Sequence, residues 1–70
     1  MRLSDTIKQK YKLNTTGMNS IEVAMMLKDN GVRGFTMEIN KRYVIVAVPR
    51  EDIKWNRKIM EGVRNELKNI

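Results

Sequence analysis

The stretch Arg33–Pro49, RGFTMEINKRYVIVAVP, decides the fold class because it carries the clearest strand pattern in the chain. Up to Ile39, apolar side chains alternate with polar residues or glycine, and this period of two places them on one face of a strand. After a polar tip at residues 40–42, residues 43–48 form a β-branched and aromatic run that is typical of a second strand. The stretch therefore predicts a β-hairpin.

The alternation also predicts the register of this hairpin, because only one register gathers the apolar side chains on a single face. A lone hairpin is marginally stable in water, so other elements must cover that face. The second face is half apolar, and we expect Tyr43 and Ile45 there to form a dimer contact or to receive an additional strand from residues 13–18. The predicted pairs are Ile39–Val44, Met37–Val46 and Phe35–Val48.

The sequence before the hairpin predicts two helices. The first spans residues 5–12, because Ser4 is a suitable N-cap and Ile7 and Tyr11 continue an apolar stripe at a spacing of four. The second begins after Asn19, which forms a capping-box pattern with Glu22, and it ends near residue 30 before a glycine. This second helix is apolar over more than half its circumference, so we expect it to lie between two other elements.

The sequence after the hairpin predicts a third, longer helix from Arg50 to Asn69, preceded by Pro49. One side of it carries an apolar stripe that includes Ile53 and Met60. The opposite side is basic, with Glu61 as its only acid. The basic residues on that side are Arg50, Lys54, Arg57, Lys58, Arg64 and Lys68.

These elements predict one α+β domain over residues 1–70, in the order helix–helix–hairpin–helix (ααββα), with the helices on one face of the hairpin. The chain has no cysteine and no secretory signal, and no apolar run is long enough to span a bilayer, so we expect a cytoplasmic protein without a membrane partner. Six methionines and the half-apolar second face favour a homodimer.

The residue types argue against an enzyme. There is no histidine or cysteine for acid–base or nucleophilic catalysis, and no phosphate-binding glycine motif. The adjacent carboxylates of Glu51 and Asp52 are interpreted as compensating the helix dipole rather than binding a metal. We therefore expect no catalytic residues, no metal and no cofactor.

The net charge of +6 favours a polyanionic partner, although charge also keeps a small protein soluble. The positions of the charges along the last helix favour a polyanionic partner. This helix contains like-charged pairs four residues apart, which a purely structural surface would avoid. We therefore predict a DNA- or RNA-binding protein. The alternative is an interaction module, such as an inhibitor or adaptor, that docks the hairpin edge or a methionine-rich surface on another protein. The predicted nucleic-acid contacts are the six basic residues of the last helix, Lys41 and Arg42 at the hairpin tip, and Arg33 at its base.

One resemblance suggests a biological setting. Residues 20–27 (SIEVAMML), followed by Arg42-Tyr43 and then by residues 48–53 (VPREDI), resemble the flanks of excisionase-like winged helix-turn-helix proteins, which bind DNA. The resemblance implies an accessory or regulatory factor of a mobile element. In those proteins a recognition helix lies between the flanks, whereas residues 31–39 here have the pattern of a strand, so the chain is not assigned to that family.

Overall fold

The computed structural model describes residues 5–68, and the side chains of residues 5–67. The chain forms a small α+β domain in which two helices cover a three-stranded antiparallel sheet of order β1–β3–β2. A short 3₁₀ turn, Arg50–Asp52, joins the last strand to the last helix. The elements in chain order are β1 (Thr6–Lys12), α1 (Ser20–Asp29), β2 (Phe35–Ile39), β3 (Tyr43–Pro49) and α2 (Ile53–Lys68).

The segment predicted as the first helix is a strand, so the order is βαββα rather than ααββα. The error arises because a spacing of four satisfies both a helical stripe and the period of two of a strand. Ile7 and Tyr11 lie on one face of β1 and pair with Val48 and Val44 of β3. The proposed cap, Ser4, lies outside the described residues. An additional strand was one of two predicted alternatives, and it is present as β1, but it comes from residues 6–12 rather than 13–18.

The hairpin register is confirmed at the tip and wrong towards the base. Ile39 pairs with Val44 as predicted. A β-bulge then lies between Thr36 and Glu38, so Phe35 pairs with Ala47 instead of Val48. Because a bulge adds one residue to one strand, it reverses which face the following side chains occupy. Phe35 and Met37 are exposed as a result.

Both helices pack against the same face of the sheet, where the sequence predicted three helices. The buried residues of that face come from β3, and they contact Val23 and Leu27 of α1 and Met60 and Val63 of α2. The prediction that α1 lies between two elements is wrong, because its outer side is open and Ile21 is 70% exposed. No helix in the described part of the chain is long and apolar enough to cross a membrane.

The ends of α1 follow the predicted local chemistry. Asn19 caps the helix by accepting a hydrogen bond from the Glu22 amide at 2.8 Å, and the Glu22 carboxylate accepts one from the Asn19 amide at 3.3 Å. At the other end, the Gly31 amide donates to the Lys28 carbonyl, and Gly31 has a φ of +90°, which suits a helix-terminating glycine. These bonds satisfy backbone groups that a helix end leaves free.

A buried polar side chain fixes α2 against the start of the hairpin. Asn56 is fully buried, and its carboxamide makes two hydrogen bonds of 2.8 Å with the backbone of Arg33. The Asn56 side-chain oxygen accepts from the Arg33 amide, and the side-chain nitrogen donates to the Arg33 carbonyl. A residue that interrupts the apolar stripe of α2 in the sequence is therefore a specific contact to the chain entering β2.

Candidate nucleic-acid interface

A cleft of about 570 Å³ lies between β1 and α2. Its apolar part consists of Tyr11, Leu13 and Met60. Five basic residues and one acidic residue also line it, and we call the whole cleft the basic groove. The charged residues are Lys10 and Lys12 from β1, and Arg57, Lys58, Glu61 and Arg64 from α2.

The basic groove continues into a second cleft of about 410 Å³ at the hairpin tip, and the two clefts share Lys12, Leu13 and Arg64. The tip adds Lys41 and Arg42 to this surface. The continuity follows from the topology. β1 ends beside the tip, and α2 starts at the far end of β3 and returns towards the tip. The basic face of α2 and the hairpin tip therefore lie on one side of the molecule.

The hairpin tip is held in place by the segment that follows β1. The Leu13 amide donates to the Arg42 carbonyl at 3.0 Å, and the Thr15 amide donates to the Lys41 carbonyl at 2.9 Å. The buried Thr15 hydroxyl also donates to the Asn40 carbonyl at 3.0 Å. Within the tip, the Arg42 amide donates to the Asn40 side-chain oxygen at 3.1 Å. The backbone that carries the two basic side chains is thus anchored to the segment that directly follows the strand bordering the groove.

Arg33, which the sequence placed in the interface, lies at the opposite end of the hairpin from the tip. Its guanidinium forms a 3.1 Å ion pair with Asp52 and lies 4.3 Å from the centre of the Trp55 ring. The Trp55 indole in turn donates a 2.8 Å hydrogen bond to the Gly31 carbonyl. Arg33 and Trp55 therefore join α2 to the loop before β2, which gives both side chains a structural role.

The basic residues predicted on the last helix separate into two groups. Arg57, Lys58 and Arg64 line the basic groove. Arg50 belongs to the 3₁₀ turn and borders a different cleft with Asp5 and Glu51. Lys54 is exposed on the first turn of α2 and lines neither cleft, and the side chain of Lys68 lies outside the described part of the chain.

Two groove residues, Lys10 and Lys12, were absent from the predicted site. They were missed because residues 5–12 were interpreted as a helix, on which lysines at alternate positions point in different directions. On a strand, Lys8, Lys10 and Lys12 share one face. The alternation of lysine with Ile7, Gln9 and Tyr11 was the available signal.

Tyr11 lies on the inner side of the groove with its hydroxyl buried, and within the described residues this hydroxyl makes no hydrogen bond of ordinary geometry. The nearby Asn56 amide is already bonded to the Arg33 backbone. Burial raises the pKa of Tyr11, while the neighbouring Asn56 side chain and the charge of Arg57 act in the opposite direction. The phenol is therefore neutral at physiological pH and forms part of the apolar floor.

Replacing Tyr11 with phenylalanine is expected to leave the free energy of unfolding at neutral pH unchanged or to raise it by up to about 1 kcal/mol, because the lost hydroxyl has no hydrogen bond to lose. A tyrosine whose pKa is raised by folding favours the folded state when neutral rather than ionised, so the stability of the wild type falls as the pH rises above about 10. The variant should therefore lose less stability than the wild type between about pH 8 and pH 11. Urea unfolding across this range measures the difference. A steeper loss in the variant would contradict the burial of the phenol.

The carboxylates do not form a metal site in the part of the chain that is described. No group of three or more acidic side chains there is arranged to hold a cation. Asp52 pairs with Arg33 instead, and Glu51 and Asp52 lie at the start of the last helical segment, where carboxylates complement the helix dipole.

The fold and the groove define a small α+β domain with a polycationic cleft along one edge of its sheet. The sequence matches no model of a protein family, and neither a curated protein nor a solved structure shows significant similarity to it.

Proposed function

We propose that this protein binds nucleic acid through the basic groove and the hairpin tip. The observation that carries the proposal is the continuity of the two clefts, whose lining includes seven basic residues and a single acidic residue, Glu61. Five of the cations surround the basic groove and two more lie at the tip. A surface of one sign along a cleft attracts and orients a polyanion.

The two arginines of the basic groove, Arg57 and Arg64, are free to contact a ligand. Arg57, Glu61 and Arg64 have the spacing of intrahelical ion pairs, yet no ion pair involves any of them in the described residues. A side chain that only stabilises a surface helix would gain a few tenths of a kcal/mol from such a pair. The absence of these pairs leaves the guanidinium groups available for bidentate contacts with phosphates.

The arrangement favours a long polyanion over a small anion. The cations are distributed along β1, along two turns of α2 and over the tip, rather than converging on one point. About 10 Å separates Arg57 from Arg64 along the helix axis, from the rise per residue of an α-helix. A free phosphate would contact only a few of these side chains, whereas a nucleic-acid backbone presents successive phosphates to all of them. The proposed role is binding without catalysis.

Binding to a labelled oligonucleotide at increasing salt concentration tests the proposal. With roughly four to seven phosphates contacted, the logarithm of the association constant should fall against the logarithm of the salt concentration with a slope of about −3 to −6. Fluorescence anisotropy with both DNA and RNA measures this slope. Absence of binding at low salt, or affinity that does not change with salt, would contradict the proposal. Retention of one protein partner at high salt would then favour an interaction module.

A further inference from the structure

The sheet has one face that no helix covers in the described part of the chain, and we call it the open face. Val44, Val46 and Val48 point into the core beneath the helices. By the alternation of a strand, the residues between them point the other way. The principal side chains of the open face are Lys8, Lys10 and Lys12 from β1, Tyr43 and Ile45 from β3, and Phe35 from β2.

The open face combines a row of lysines with two aromatic rings. β1 places Lys10 beside Ile45 and Lys12 beside Tyr43. Successive lysines of this row are separated by about 6.7 Å along the strand. The Lys10 ammonium lies 4.3 Å from the centre of the Tyr43 ring. On the far edge, Phe35 is 62% exposed. The lysines therefore lie along the β1 edge, Tyr43 on the central strand and Phe35 on the β2 edge.

We propose that the open face binds single-stranded nucleic acid, with unstacked bases against Phe35 and Tyr43 and phosphates at the lysines of β1. This inference rests on the proposed function and specifies the class of nucleic acid. An exposed aromatic ring contributes to single-strand binding because every base has a face that can stack on it. A duplex keeps its bases stacked inside, so it would use the lysines but would gain nothing from Phe35.

The open face and the basic groove are adjacent surfaces of one strand. Lys10 and Lys12 point from the open face, and they also border the groove on the other side of the β1 edge. A nucleic-acid strand whose bases lie on the open face therefore has its backbone near the β1 edge. Arg57 and Arg64 line the basic groove at that edge. The two surfaces act together on one ligand.

Charge argues against a second copy of the chain as the occupant of this face. The face carries three lysines and, among its described side chains, Glu38 as its acid. The Glu38 carboxylate lies close enough to the Tyr43 hydroxyl to raise the pKa of Tyr43. Two such faces would bring like charges together, which opposes association. A polyanion relieves that repulsion.

Phe35→Ala tests the inference, because the side chain is exposed and its removal should leave the fold intact. Anisotropy would compare a labelled single strand of about 12 nucleotides, within the range of single-strand sites, with the duplex of the same sequence. We expect the wild type to prefer the single strand. Loss of one stacking contact should weaken single-strand binding by about 5- to 150-fold and leave duplex binding unchanged. Phe35→Tyr should retain the affinity.

The matched control is Ile21→Ala, which removes a similarly exposed apolar side chain from α1, away from the sheet, and should change neither affinity. The inference would be overturned if duplex and single strand bound equally, or if Phe35→Ala left the single-strand affinity unchanged. In either case, salt-dependent binding would still support nucleic-acid binding at the basic groove. A wild type that binds no nucleic acid would instead refute the proposed function. A dimer in light scattering that Phe35→Ala converts to a monomer would identify the open face as a contact between copies and would also overturn the inference.

Discussion

Replacing both Arg57 and Arg64 with glutamate is expected to lower the affinity for nucleic acid by about two orders of magnitude or more at low salt, because two phosphate contacts become repulsive. The salt dependence should also become shallower, with a slope reduced by about 2. The fold should persist, since both side chains are exposed and neither forms an ion pair in the described residues. Circular dichroism and salt-titrated anisotropy measure the two properties.

A second double variant, Arg50→Glu with Lys54→Glu, provides the matched control. It changes the net charge from +6 to +2, as the groove variant does, since each substitution lowers the charge by two. Arg50 borders another cleft and Lys54 lines neither part of the proposed surface. We expect the fold-decrease in affinity of this variant to be less than a tenth of the fold-decrease of the groove variant. Equal losses would show that binding depends on net charge alone and would contradict the assignment to the groove.

Gly34→Ala is expected to lower the free energy of unfolding by about 3–5 kcal/mol, which places it among the exceptional single substitutions. Gly34 has a φ of +89°, in the left-handed region that a side chain disfavours. An added Cβ would also overlap the backbone carbonyl oxygen of Ala47 in the central strand. A domain of this size has a total stability of only about 4–10 kcal/mol, so the variant should lose a large fraction of its stability.

Two other glycines separate the causes of this loss. Gly17 has a φ of +88° but open space around it, so Gly17→Ala should cost only about 1–2 kcal/mol from backbone strain. Gly62 lies within α2 with nothing near its Cβ position, so Gly62→Ala should stabilise the protein by about 1 kcal/mol. Urea unfolding of the three variants, followed by circular dichroism, measures the series. A Gly34→Ala variant no less stable than Gly17→Ala would contradict the close approach to β3.

The local elements were predictable where neighbouring residues decide them. The Asn19–Glu22 capping box forms as its spacing indicated, and Ile39 pairs with Val44 as the hairpin pattern required. The amphipathic character of α2 likewise placed Met60 in the core and Arg57 on the surface. Each of these features depends on side chains a few residues apart, so a short segment contains the information needed.

The sequence by itself therefore determined an α+β domain built on this hairpin, with a basic last helix. Only the tertiary structure decided that residues 6–12 form a strand. The spacing of Ile7 and Tyr11 fits a helix and a strand equally, and the backbone pairing with β3 selects the strand. The tertiary structure also divided the basic residues into two groups. Arg33 pairs with Asp52, whereas Arg64 lines one cleft with Lys12, which is far from it in the sequence. Local spacing specifies the face of an element on which a residue lies. Which faces meet depends on long-range packing of the whole chain.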